Sequence, residues 1–144
     1  MPGEDVRLLD LLTSTARGVA AATNADACAI SRMIGDLLIL VAESTSDGST
    51  LQLGQGYLVS DYPETRRVLE RRETCVLTLA DGDVDPAEAS VLRELGFASL
   101  LMLPLELGGH LWGLVELYRR EPEAFSEAEQ SLAQERLAAL PGEH

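Results

Sequence analysis

Apolar residues recur along this chain in two rhythms. From Asp5 to Thr23 they return every third or fourth position, at Val6, Leu9, Leu12, Ala16 and Val19, which predicts a helix. Leu8, Leu11 and Thr15 make its apolar face broader than one packing surface needs. A helix with two apolar flanks can rest on its own sheet and on a partner helix. Asn24-Ala25-Asp26 ends it. Ala27 to Ile34 and Leu37 to Glu43 are strand-like, and the Gly35-Asp36 between them signals a hairpin. Leu37 to Val41 is continuously apolar, as in strands covered on both faces. Ser44 to Thr50 reads as a turn or loop. Leu51 to Val59, broken by Gly54 and Gly56, fits neither rhythm.

Three helix starts follow, each with a capping box: Asp61-x-x-Glu64, Asp85-x-x-Glu88 and Ser126-x-x-Glu129. In each the first side chain can accept from an orphan backbone N–H, and the glutamate can reach back to the cap. The helices run from about Tyr62 to Arg72, Pro86 to Leu95 and Glu127 to Leu140, with Gly96 as a C-terminal cap. Thr74 to Leu79, Ala98 to Leu107 and Leu111 to Tyr118 read as strands. The last two flank Gly108-Gly109-His110, a second hairpin. Pro104 predicts a bend or a missing ladder donor. This order predicts an α/β (α+β) domain, with an antiparallel sheet and helices on both faces.

The 144 residues suit one domain, with a core over about 26–120 and flanking helices over about 5–23 and 127–140. Aromatics are only 4%, so Leu, Val and Ala must build the interior. No apolar run is long enough to span a membrane, and the acidic N-terminus is unlike a signal peptide, so a cytoplasmic domain is expected. Net charge is −13, and every basic residue is Arg. That makes nucleic acid and anionic membrane poor partners. Cys28, Cys75, His110 and His144 have no metal-ligand spacing, so no metal or cofactor is expected, and two reduced thiols are.

The stretch from Ser60-Asp61-Tyr62-Pro63 through Asp85-Pro86 and Leu95-Gly96 to Ser99–Leu105 resembles GAF domains of bacterial signalling proteins. So do Leu111-Trp112-Gly113-Leu114-Val115-Glu116-Leu117 and Phe125-Ser126-x-x-Glu129. The resemblance implies a GAF-like central sheet of five to six strands. Terminal helices would cover one face and form a dimer bundle, while the middle helices and loops wall a small-molecule pocket. It also implies a downstream output domain. Family ligands include cyclic nucleotides, bilins, haem and small metabolites, so the fold names no ligand.

Asp61-x-Pro63, Arg67 and the Leu-Trp-Gly-Leu run are similar to phytochrome-type GAF domains. Where covalent bilin binders carry their Cys-His pair, this chain has Ala87 and Glu88. Where they carry histidines near the last strand it has Tyr118-Arg119. The shared Asp-x-Pro is read as a helix cap. The cysteine loops of free methionine sulfoxide reductases and the cyclic-nucleotide signature are absent, as are common catalytic motifs, so no enzyme is expected.

Alternation puts Trp112, Leu114, Glu116 and Tyr118 on one face of their strand. A covered Glu116 needs a partner. It either pairs with Arg32 or sits at the sheet rim, or one of the two faces the pocket. Tyr57, Asp61, Tyr62, Arg66, Arg67 and Cys75 lie where GAF pockets open. Arg66, Arg67, Arg71 and Arg72 form either a solvated face or a site for an anionic ligand. Trp112 is read first as core and second as a ligand platform. Two functions stand side by side: a sensor of an unidentified small molecule, and a homodimerising relay working through the terminal helices. A redox switch at Cys75 is a third. A cavity of roughly 300 Å³ with apolar and convergent polar lining favours sensing.

Overall fold

The computed structural model describes residues 2–51 and 53–140, with side chains from Arg7 onward. Its elements follow the order α1 (Pro2–Thr23), β1 (Ala27–Ile34), β2 (Leu37–Thr45), β3 (Gly56–Leu58), α2 (Pro63–Arg71), β4 (Cys75–Thr78), α3 (Pro86–Leu95), β5 (Ser99–Leu107), β6 (His110–Arg119) and α4 (Glu127–Ala138). Six strands form one antiparallel sheet in the order β3-β2-β1-β6-β5-β4. The ambiguous stretch from 51 to 59 supplies the short edge strand β3.

Alternation divides the core in two. Leu101, Leu103, Leu105, Val115, Leu117, Cys28 and Ile30 face α1 and α4, where they meet Leu12, Ala16, Val19, Ala133 and Leu137. Leu100, Met102, Leu114, Ala29, Leu38 and Leu40 face the other side, with Val68 and Leu69 of α2 and Leu92 of α3. Each fully buried leucine contributes roughly 2 kcal/mol. Pro104 interrupts no pairing between β4 and β5, because their ladder ends at Cys75–Met102 and leaves an open edge beyond it.

The helix ends show which local signals governed. Asn24 takes φ 60° and stops α1, and Gly96 takes φ 82° and closes α3. Ser126 and Glu129 make the reciprocal box at α4. Asp85 accepts from the amides of Ala87 and Glu88, but the Glu88 side chain turns inward. Asp61 does not cap α2, contrary to the sequence pattern. Val59–Asp61 forms a 3-10 turn, and extended Tyr62 precedes Pro63 as the helix boundary, with no side-chain cap. Pro63 disfavours helical backbone at the residue before it, so the helix cannot begin at Asp61.

Two bulges break the strand alternation. Ile30 pairs with Ala42 but Ser31 with Leu40, leaving Val41 extra in β2. Leu105 pairs with Gly113 but Glu106 with Leu111, leaving Trp112 extra in β6. The second bulge reverses the parity of Trp112, which packs on the α1–α4 side rather than with Glu116.

Candidate functional site

A cavity of about 330 Å³ lies between the sheet and α3, closed at one side by the segment leading into β3. The sheet supplies Ala29, Ser31 and Leu40 from β1 and β2, and Glu116 and Tyr118 from β6. Helix α3 supplies Glu88, Val91, Glu94 and Leu95, positions that share one helical face. Leu51, Gln55 and Tyr57 close the rim with Tyr62. That rim is anchored. Leu40 N–H donates to Gln55 O at 3.0 Å, Gly54 N–H to Leu40 O at 2.8 Å, and Val59 N–H to Asp36 O at 2.8 Å.

Glu116 is 7% exposed, and its carboxylate accepts from the Tyr57 hydroxyl at 3.0 Å. Burial pushes its pKa up to about 7, and the nearby charge of Glu88 adds to the rise. Hydrogen bonding from Tyr118 and Tyr57 acts the other way. Glu88 accepts from the Thr65 hydroxyl at 2.5 Å, which ties α3 to α2. Burial raises its pKa too, against the pull of Thr65. Burial, then the Glu116 charge, holds Tyr57 and Tyr118 well above the usual phenol range, so both remain donors. Tyr57 and Tyr62 meet edge to face, with ring centroids 5.1 Å apart.

Of the residues singled out in the sequence, Tyr57, Tyr62, Glu116 and Tyr118 line this cavity. Asp61, Arg66, Arg67, Cys75 and Trp112 do not. The arginines stay on the exposed face of α2. Arg66 pairs with Glu70 at 2.7 Å, Arg67 with Glu64 at 3.6 Å, and Arg72 with Glu106 at 3.3 Å. Arg32 makes no pair with Glu116, because the β1–β6 register sets Ala29 opposite Glu116 and Arg32 opposite Gly113. Arg32 instead stands over the Trp112 ring at 5.6 Å. The Cys75 thiol lies 3.6 Å from Glu64, and burial with that carboxylate pushes its pKa up to about 12. A thiol held protonated is a poor nucleophile.

Sequence reasoning missed Glu88 and Glu94 as cavity residues. The sequence pattern places Glu88 in a capping box, yet Glu88, Val91 and Leu95 also lie at helical spacing. It also missed Arg119. Its buried guanidinium donates to Thr23 O at 2.7 Å, to Asn24, Glu123 and Ala124 carbonyls, and to the Glu129 carboxylate, and it lies over Phe125 at 4.0 Å. Arg119 therefore fastens the end of α1 and the start of α4 to β6.

The sequence profile of the GAF domain family matches residues 7–140. The chain belongs to the GAF family. This GAF domain is similar in structure to the phycocyanobilin-bound GAF domain of a cyanobacterial phytochrome. The two are 25% identical with a TM-score of 0.78, over 91% of this chain and 82% of that one. It is also similar to the GAF domain of PixJ from Thermosynechococcus elongatus in its blue-light absorbing form, at 17% identity and TM-score 0.79, over 95% and 84%. Against the photosensory core module of Stigmatella aurantiaca phytochrome the values are 16% and 0.73. There 91% of this GAF domain covers 31% of the longer chain. No curated protein matches the sequence at a significant level. The fold is the expected α+β one, and among the described residues no helix is long and apolar enough to cross a membrane.

Proposed function

We propose that this GAF domain is the sensory part of a bacterial, cytoplasmic signalling protein, that it binds a small molecule in the cavity beneath α3, and that it catalyses nothing. The observation that carries the reading is the cavity itself. Its volume of about 330 Å³ and its mixed apolar and polar lining fit a ligand site. That the cyanobacterial relative is a bilin-bound GAF domain supports a ligand-binding role for this fold. A bilin is disfavoured here, because Ala87 and Glu88 offer no thioether and the acidic lining would oppose its propionates. The larger span of the Stigmatella protein supports a place beside further domains.

A second reading, dimerisation through α1 and α4, has its own support. Leu9 on α1 is 42% exposed and Leu132 on α4 is 39% exposed, and the two helices pack side by side. Both readings can hold at once. Native mass spectrometry of the chain, purified from its own cells, reads both. The expected result is a dimer carrying a small adduct that Val91→Trp, which fills the cavity, abolishes. A chain free of adduct that also binds nothing in a metabolite thermal-shift screen overturns the sensing reading.

A further inference from the structure

We propose that the cavity takes a small organic cation, an amine or quaternary ammonium with an apolar body, and that Glu116 is the counter-charge for its head group. This rests on the reading that the cavity is the ligand site, and adds the charge class of the ligand.

The sign of the lining comes first. Glu88, Glu94 and Glu116 face the space, and among the described residues no arginine or histidine lines it. Glu116 is 7% exposed and Glu88 is 3% exposed, and among the described residues neither joins an ion pair. Exposed carboxylates elsewhere in the chain are better served: Arg120 reaches both Asp26 and Asp47. The donors at Glu116 are the neutral hydroxyls of Tyr57 and Tyr118, and the donor at Glu88 is that of Thr65; they orient the carboxylates without supplying a countercharge. A buried carboxylate beside a void, with no countercharge, is complemented by a cation entering that void.

The aromatic content points the same way. Tyr57, Tyr62 and Tyr118 all line the cavity, and a ring face attracts an alkylated ammonium. Leu40, Leu51, Val91 and Leu95 supply an apolar wall for the remainder of the ligand. A bare metal ion fits poorly, because among the described residues no three carboxylate, histidine or cysteine side chains are grouped to hold one. An anion would meet three carboxylates, while the nearest arginine cluster stays outside on α2.

The test is titration calorimetry of the full chain with four probes: choline, putrescine, the uncharged carbon isostere of choline, and tert-butylacetate. Choline or putrescine is expected to bind at least about tenfold tighter than the isostere, with no binding of tert-butylacetate. Glu116→Gln should erase that preference. Glu94→Gln, at an exposed rim position that leaves the fold alone, should weaken the cation about threefold. Equal binding of the isostere, or tighter binding of the anion, overturns the cation assignment while the sensing reading stands. Cation binding unchanged by both substitutions places the cation on the acidic outer surface and also overturns it. If no probe of any charge binds, the cation assignment falls. The sensing reading falls with it only if the native adduct is missing too.

Discussion

The hydroxyl of Tyr57 donates to the buried carboxylate of Glu116 at 3.0 Å, across 59 positions of sequence. The bond joins the edge strand β3 to the centre of the sheet and closes the rim of the cavity over its floor. Tyr57→Phe removes the donor and should destabilise the fold by about 1–2 kcal/mol. Glu116→Ala should cost more, about 2–4 kcal/mol, because it adds a void and strips Tyr57 and Tyr118 of their acceptor. Urea unfolding of the two variants checks the order. A Glu116→Ala midpoint equal to wild type would remove the buried carboxylate from any structural role.

Glu116 should also make stability fall as pH rises. Its folded pKa of about 7 stands above its ordinary value of 4.5. Between these values the folded chain holds the proton more tightly than the unfolded one. The stabilisation is therefore complete below about pH 4.5 and lost as pH passes 7, by at most ~3 kcal/mol. The groups facing Glu116 are Glu88 from α3, Tyr57 from β3, Tyr118 from β6 and Tyr62 at the head of α2, while Cys28 of β1, on the opposite face of the sheet, only feels its charge. The upward shift of Glu88 has the same sign. In the ligand-free chain, Glu116→Gln should gain on wild type from pH 5 to pH 8. A difference in unfolding free energy that stays flat across that range would contradict this.

Gly113 has a steric reason to be glycine. A Cβ there would lie 1.9 Å from the Ser31 carbonyl oxygen, where β1 passes the bulge of β6. Gly113→Ala must push two central strands apart, at a cost of about 3 kcal/mol. Calorimetric melting of that variant should show one of the largest losses of any single methyl added to this domain. A near-neutral result would mean the bulge can relax.

Arg119→Lys should be costly despite keeping the charge. A lysine cannot reproduce a fork that meets Thr23, Asn24, Glu123, Ala124 and Glu129 together. The expected loss is about 2–4 kcal/mol. Limited proteolysis should then cut first near the ends of α1 and α4. A variant as resistant as wild type would show that apolar packing alone holds the two helices.

If α1 and α4 form the dimer bundle, Leu9→Glu combined with Leu132→Glu should yield a folded monomer whose melting temperature no longer depends on protein concentration, since both side chains are partly exposed in the single chain. Sedimentation velocity reads the mass directly. A double variant that still sediments as wild type would move the interface elsewhere.

Most of the element order was legible in the sequence, because each element carries its own period and its own stop. The hairpins at Gly35-Asp36 and Gly108-Gly109, the Ser126–Glu129 box and Gly96 all act within a few residues. The errors came where distant strands decide. Strict alternation placed Trp112 beside Glu116, but the bulge opposite Leu105 turned it to the other face. Arg32 looked like a partner for Glu116 until the register set it three residues away. Glu88 satisfied a local capping pattern and still went inward, because Thr65 of α2 offered its carboxylate a buried donor. Four of the nine proposed site residues reach the cavity, and those are the ones whose faces the strand and rim geometry fixed.

Tyr118 and Arg119 are consecutive in β6, one lining the cavity and the other holding α1 and α4. Adjacent positions of a pleated strand project to opposite sides, so one peptide unit, with Cα atoms ~3.8 Å apart along the strand, links the two faces of the sheet. A strand that shifts or twists to accommodate an occupant moves both side chains as one rigid lever. If the cavity is the ligand site proposed above, the message has almost no distance to travel, and a long relay of packed contacts becomes unnecessary.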